Sequence, residues 1–145
     1  MTSKREQVLS ALYTALKTLE TPTLKIYRNL DKPQIIPAGG MVILRDGSEE
    51  APEVLMSPLT YIYEHVATLE VMVQNADQPS RDAQLDTLLI SIGAIISANR
   101  TLGGSAEWME ARAPEFTEEP VEGAPTMKLA TVPVMIRYFT SDPLN

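Results

Sequence analysis

The sequence predicts an α+β fold, a single domain over residues 1–145, in which two amphipathic helices pack on one face of a mainly antiparallel sheet. Three observations carry that prediction. Two stretches, one near the start and one past the middle, repeat apolar residues at helical spacing. Two others, Tyr61 to Gln74 and Met127 to Phe139, alternate apolar with polar residues as long strands with one buried face do. The chain has 145 residues, 44% of them hydrophobic and 21% charged, which is the size and make-up of one folded domain with a real core.

In chain order, Ser3-x-x-Glu6 has the form of a capping box. Val8, Leu9, Leu12, Ala15, Leu16 and Leu19 follow on one face, predicting a helix from about Ser3 to Leu19 that Thr21-Pro22 ends. Leu24, Ile26 and Arg28 alternate with Lys25 and Tyr27 in a short strand, and a loop with proline and glycine runs from Asn29 to Gly40. Met41 to Arg45 reads as a strand closed by a turn at Asp46-Gly47, because glycine takes a positive φ without steric cost. Glu49 to Pro58, with its prolines and glutamates, is expected to be an exposed excursion. In the long strand that follows, the odd positions from Tyr61 to Val73 face the core, while the even face mixes Ile62, Val66 and Met72 with Glu64, Thr68 and Glu70.

Beyond a loop from Asn75 to Pro79, Ser80 is expected to cap a second helix. Its buried stripe is Leu85, Leu88, Leu89, Ile92, Ile95 and Ile96, and Gly103-Gly104 marks the turn after it. Ala106 to Ala111 reads as a strand around Trp108, and Pro114 to Gly123, with Glu115, Glu118, Glu119 and Glu122, as a solvated loop. In the last strand Ala130, Val132, Val134, Ile136 and Tyr138 face the core. Pro133 falls on the other parity and predicts an edge strand or a bulge, since it has no N–H to give a ladder. The expected order is α-β-β-β-α-β-β.

Composition excludes several classes of function. A formal net charge of −7, with no cluster of lysine and arginine, argues against a protein that grips phosphate backbones. The absence of cysteine removes disulfides, thiolate zinc sites and cysteine nucleophiles, and fits a reducing cytoplasm. Residues Met1 to Glu6 lead into an amphipathic pattern, and the most apolar stretch, Leu88 to Ala98, is too short to span a bilayer, so neither secretion nor membrane association is expected.

No catalytic constellation is expected either. His65, the sole histidine, sits on the core-facing parity of the long strand and reads as a core-edge residue bonded to backbone or tyrosine, not as a ligand or general base. One histidine without cysteines makes a poor zinc site. Glu64 and Glu70 share a parity but stand roughly 20 Å apart at about 3.3 Å per residue, too far to share a proton. The acidic runs lack the spacing of a calcium loop, and Gly39-Gly40 and Gly103-Gly104 lie outside any phosphate-binding fingerprint. The sequence thus assigns no catalytic, cofactor-binding or metal-ligating residue.

Contact residues remain. Ile62, Glu64, Val66, Glu70 and Met72 are interface candidates, because a half-apolar sheet face suits burial against another subunit. Glu49, Glu50 and Glu53, and Glu115, Glu118, Glu119 and Glu122, lie on segments long enough to reach a neighbour. Arg100, near the end of the second helix, can pair with a neighbour's carboxylate or cap its own helix. Trp108 reads first as core and second as an exposed contact.

A series of short stretches, in order along nearly the whole chain, carries a resemblance. They are Arg28-Asn29-Leu30-Asp31-Lys32-Pro33, Ile43-Leu44-Arg45-Asp46-Gly47, Ser57-Pro58-Leu59, Arg81-Asp82-Ala83-Gln84-Leu85-Asp86, Asn99-Arg100-Thr101-Leu102-Gly103-Gly104, Gly123-Ala124-Pro125 and Tyr138-Phe139-Thr140-Ser141-Asp142-Pro143-Leu144. Together they resemble the tail terminators of long-tailed phages, prophages and gene transfer agents, a family related in fold to the minor tail protein U of lambda-like phages.

The resemblance implies a non-enzymatic virion protein, a homo-oligomer of six subunits in a ring. Such a ring caps the head-proximal end of the tail tube, stops tube polymerisation and provides the head–tail joining surface. The implied partners are the tail tube protein and a head–tail connector or neck protein, and the implied location is the neck region of the virion tail, after assembly in the host cytoplasm. Each copy carries −7, and acids lining a channel repel phosphate, so DNA is expected to pass through the lumen without specific binding. Two alternatives stand beside this one: another neck, connector or tail completion subunit of the same particle, and a small enzyme, which an open pocket around His65 would favour.

Overall fold

The computed structural model describes residues 2–31, 35–120 and 122–145. Lys32 and Pro33 of the first resembling stretch, and Val121 of the acidic segment, lie outside the described residues.

Helix α1 (Lys4–Lys17) begins at Ser3, whose hydroxyl accepts the Glu6 N–H at 3.2 Å. The Glu6 carboxylate turns to Arg28 instead of back to Ser3, so the helix start is tied to a strand. Its apolar face buries Val8, Leu9, Leu12 and Leu16. Helix α2 (Gln78–Ala98) buries Leu85, Leu88, Ile92 and Ile96 against the same face of the sheet, with Leu89 and Ile95 partly buried beside them.

The sheet is built around two long strands, β4 (Leu59–Gln74) and β7 (Met127–Thr140), antiparallel over fourteen consecutive pairs from Tyr61↔Thr140 to Gln74↔Met127. Strand β2 (Gly40–Glu49) runs antiparallel to β4 on its other side, and β1 (Leu24–Arg28) runs parallel to β2 at the margin. Strand β3 (Glu53–Met56) continues along β4 where β2 stops. On the far side of β7, β5 (Trp108–Ala111) and β6 (Glu115–Glu119) pair with it in succession. The neighbour of the central pair on each side is therefore a strand line interrupted, by Glu50-Ala51-Pro52 between β2 and β3 and by Arg112-Ala113-Pro114 between β5 and β6.

The core lies between the helices and the side chains predicted to face inward: Ala67, Leu69, Val71 and Val73 of β4, and Ala130, Val134, Ile136 and Tyr138 of β7, each at most 2% exposed. On the opposite, helix-free face a smaller cluster of Met41, Ile43 and Met72 is covered by Tyr27, Leu30 and Ile36 from β1 and the loop after it.

The fold class and both helices match the sequence prediction, and four local features differ from it. Asp46-Gly47 is a bulge inside β2, not a turn, because the register shifts between Arg45 and Ser48. Gly47 has φ 69°, and a Cβ there would lie 1.9 Å from the Val66 carbonyl oxygen. The excursions expected at 49–58 and 114–123 contain strands β3 and β6, whose exposed residues hide the two-residue period that marks a half-buried strand.

Pro133 is neither at an edge nor in a bulge. It sits within β7, opposite Thr68, and on its other side accepts Arg112 N–H at 2.8 Å in the interval between β5 and β6, where the ladder is already broken. Helix α2 starts earlier than expected: Asp77, not Ser80, is the cap, accepting Ser80 N–H at 3.2 Å, and Pro79 lies in the first turn where its missing N–H costs nothing.

Candidate functional site

The predicted contact residues fall into four places, and the strand registers decide which of them meet. The first is the helix-free face. Ile62, Glu64, Val66, Glu70 and Met72 all point to it from β4, joined by Pro133, Met135 and Arg137 from β7. Ile62 and Met72 are 8% and 9% exposed, while Val66 is half-buried. The β4 carboxylates on this face are paired: Arg45 Nε holds Glu70 at 2.9 Å, and Arg137 reaches Glu64 at 3.5 Å as well as Glu107 at 3.0 Å. What remains along β4 is a half-apolar strip whose two carboxylates are held by cations.

The second place is the segment from Glu49 to Met56. Glu49 is not a free loop acid. Its carboxylate accepts hydrogen bonds from the Tyr138 hydroxyl and from Arg5 Nη1 (3.3 Å), and it lies 3.5 Å from His65 Nδ1. The His65 ring is 2% exposed, and its Nε2 donates to the Asp46 carbonyl, the backbone partner the sequence suggested. Burial, with the Glu49 hydrogen bond second, raises the Tyr138 hydroxyl far above the ordinary tyrosine range. This polar knot joins α1, β2, β4 and β7 from inside; His65 Nε2 serves the backbone, while Nδ1 faces the Glu49 carboxylate without a hydrogen bond.

Glu50 and Glu53 are exposed, and with them the apolar tip that follows. Val54, Leu55, Met56 and Leu59 form an arm standing off one end of the sheet, none of them buried. The sequence signal for the arm is an uncharged run from Val54 to Tyr63 next to two acids, a run that also fits an ordinary buried strand.

The third place joins Arg100 and Trp108. Trp108 is 44% exposed, not core, and the Arg100 guanidinium lies over its ring at 4.7 Å from the centroid. Arg100 also donates to the Met109 carbonyl at 2.9 Å, so it neither caps α2 nor stands free; Asn99 N–H to the Ile96 carbonyl closes that helix. Trp108 has helix-free-face parity, since it pairs with Arg137.

The fourth place is β6. Glu115 and Glu119 point to the helix-free face and Glu118 to the helix side, where it meets the buried Arg81 at 3.4 Å. Phe116, 54% exposed, lies under Lys128, whose ammonium binds Asp82 at 2.8 Å. Glu122 is exposed in the turn that leads to β7. No other strand covers the outer margin of β6 among the described residues.

The fold is similar to that of a chain in the structure described as "Virion of native gene transfer agent (GTA) particle". The two superpose with a TM-score of 0.56 at 13% identity, over 97% of this chain and 100% of the other. At that identity the likeness is one of fold, and it runs from end to end of both molecules. No protein-family model matches the sequence, and no curated protein matches it. Among the described residues no helix is long and apolar enough to cross a membrane.

Proposed function

We propose that this protein is a structural subunit of a phage-like particle, and within that class a tail terminator. Its copies form a ring, six-membered by the family resemblance, that caps the head-proximal end of the tail tube, stops tube growth and offers the head connector a joining surface. The observation that carries this reading is the fold likeness to a chain of a gene transfer agent virion, over 97% of this chain and 100% of that one. The resembling stretches named from the sequence supply the narrower role.

The surfaces fit such work. A half-apolar sheet face, an apolar arm and exposed acids are means of contact with copies and with a tube, and the residue most suited to acid–base chemistry, His65, is enclosed and bonded to backbone. The uncompensated acids suit a channel that DNA traverses without adhering.

Deleting the gene from a particle-producing strain is the direct test. Tails of irregular, overgrown length that fail to join heads are expected. Tails of normal, uniform length that join heads efficiently would refute the role. If labelled protein maps by electron microscopy to the head side of the neck, the subunit is a connector or completion protein instead.

A further inference from the structure

We propose that His65 is a proton-operated clasp on the end of β2: a proton taken up on its Nδ1 fastens Glu49, and loss of that proton loosens the stretch from Gly47 to Glu50 that leads to the arm. The device is a property of the fold and does not depend on a role in a ring.

His65 and Glu49 are direct partners across β4 and β2, with their side chains on the same face. That register sets the imidazole against two points of β2, one in the bulge and one beyond it: Nε2 meets the Asp46 carbonyl, and Nδ1 lies 3.5 Å from Glu49 Oε1. A carbonyl oxygen only accepts, so Nε2 carries a hydrogen. A neutral imidazole has one N–H, which leaves Nδ1 a lone pair facing a carboxylate oxygen. This nitrogen is buried and has no hydrogen-bond partner. The other neutral tautomer only moves the conflict, setting a lone pair against the Asp46 carbonyl. A ring protonated on both nitrogens satisfies both acceptors.

The groups around the pair hold their charge over the range in which imidazoles ordinarily titrate, about pH 5 to 8. The Tyr138 hydroxyl from β7 and Arg5 Nη1 from α1 reach the same oxygen, Glu49 Oε1. Burial raises the hydroxyls of Tyr138 and of Tyr63, stacked beside it, above the ordinary tyrosine range, so both keep their protons, and an arginine is charged throughout. Asp46 gives its carboxylate to Arg28, which also holds Glu6. Ile136, opposite His65 on β7, is apolar, and Tyr61 and Asp142 act on Tyr63. The variable proton is therefore the one between His65 and Glu49.

The rest of this strand end is lightly held. Past the bulge Ser48 and Glu49 are in register with β4, and the next rung, Glu50 N–H to the Glu64 carbonyl, is long at 3.5 Å. The Glu49 side chain is 16% exposed against 3% for His65, so the proton comes and goes past the carboxylate. A closed joint gives the second ring proton a carboxylate and an open joint does not, so protonation and closure favour each other. The segment tightens as pH falls and loosens as pH rises.

Hydrogen exchange and imidazole nitrogen spectra of the full chain, taken from about pH 5 to 9 around the ordinary imidazole range, test this. The neutral ring is expected to carry its hydrogen on Nε2. As Nδ1 gains a proton, the Glu50 amide, corrected for the intrinsic pH dependence of exchange, should become about tenfold better protected, the scale of a hydrogen bond to a charged group. The Val71 amide in the middle of β4 should not change. Glu49→Gln keeps the oxygen that Tyr138 and Arg5 reach but removes its charge, and should cut the response to less than about twofold, since a neutral acceptor attracts the charged ring less. The parent measurement decides whether or not that variant folds. Proton uptake with no change at Glu50, a neutral ring with its hydrogen on Nδ1, a ring that keeps one protonation state over the whole range, or an undiminished response in Glu49→Gln would each overturn the clasp.

Discussion

Arg28 and Glu6 meet through two parallel hydrogen bonds, Nη1 to Oε1 at 2.7 Å and Nη2 to Oε2 at 2.9 Å, while Arg28 Nε holds Asp46 Oδ1 at 2.9 Å. One guanidinium thus ties the first turn of α1 to the margin of the sheet and to the bulge in β2. The Arg28 hydrogen bonds hold the Glu6 carboxyl at about 2, against 4.5 ordinarily. Because the folded value is the lower one, the contribution to stability is full above about pH 5 and is lost as pH falls towards 2. The Glu6 side chain is 42% exposed, so solvent screening reduces the contribution to about 1 kcal/mol. Urea unfolding of Glu6→Gln should lie about 1 kcal/mol below the parent at pH 7 and converge with it near pH 2; parallel curves across that range would contradict the assignment.

Tyr138 is 2% exposed, stacks on Tyr63 at 5.6 Å, and donates a hydroxyl hydrogen bond to Glu49. Tyr138→Phe keeps the ring and removes a donor to a charged acceptor, which should cost about 1–2 kcal/mol in chemical denaturation. The Tyr138 hydroxyl titrates above its ordinary range when folded, so its share of stability is present below pH 10 and declines as pH rises beyond it. Tyrosinate absorbance from this residue should appear only with unfolding. A tyrosinate signal from a folded chain that Tyr138→Phe abolishes would refute this.

Gly47→Ala should destabilise the fold by at least about 2 kcal/mol, since a positive φ and a collision with the Val66 carbonyl act together. Gly123→Ala, also at positive φ but with nothing near its Cβ, should cost only about 1 kcal/mol. Equal losses in thermal melts would show that the bulge relaxes around the added methyl.

Glu118 and Glu119 are neighbours with opposite duties. Arg81 is buried, donates to the Asn75 carbonyl at 2.8 Å and leaves Nε without an acceptor, so Glu118 is its counter-charge. Glu118→Gln should lower stability by about 1 kcal/mol. Glu119→Gln should leave the melt unchanged and act, if anywhere, on assembly. Removing Glu118 to Gly123 altogether should therefore weaken the monomer, a cost that follows from Arg81. An unchanged melting temperature after that deletion would count against it.

Much of this architecture was legible because the middle of β4 and β7 buries one side more deeply than the other, so Leu69, Val71, Val132 and Val134 alternate with polar or half-exposed neighbours. Strands β3 and β6 were not, since Val54, Leu55 and Met56 are exposed on both sides and Glu115 to Glu119 are exposed throughout. Asp46-Gly47 carries the same local chemistry in a turn as in a bulge, and only the Val66 carbonyl across the strand distinguishes them. Glu49 reads as a loop acid because its partners, Arg5 and Tyr138, lie 44 and 89 positions away. Trp108 carries no local mark of exposure; the cation above it comes from the helix end.

The fourteen unbroken pairs of β4 and β7 form a stiff beam about 45 Å long. Neither flanking line, β2 with β3 or β5 with β6, has that continuity, because each is cut near an Ala-Pro step. The thickness of any layer made of these molecules standing side by side is then fixed by the beam and not by the loops. Trimming two residues from each member of the pair would thin such a layer by roughly 7 Å, whatever the margins did to adapt.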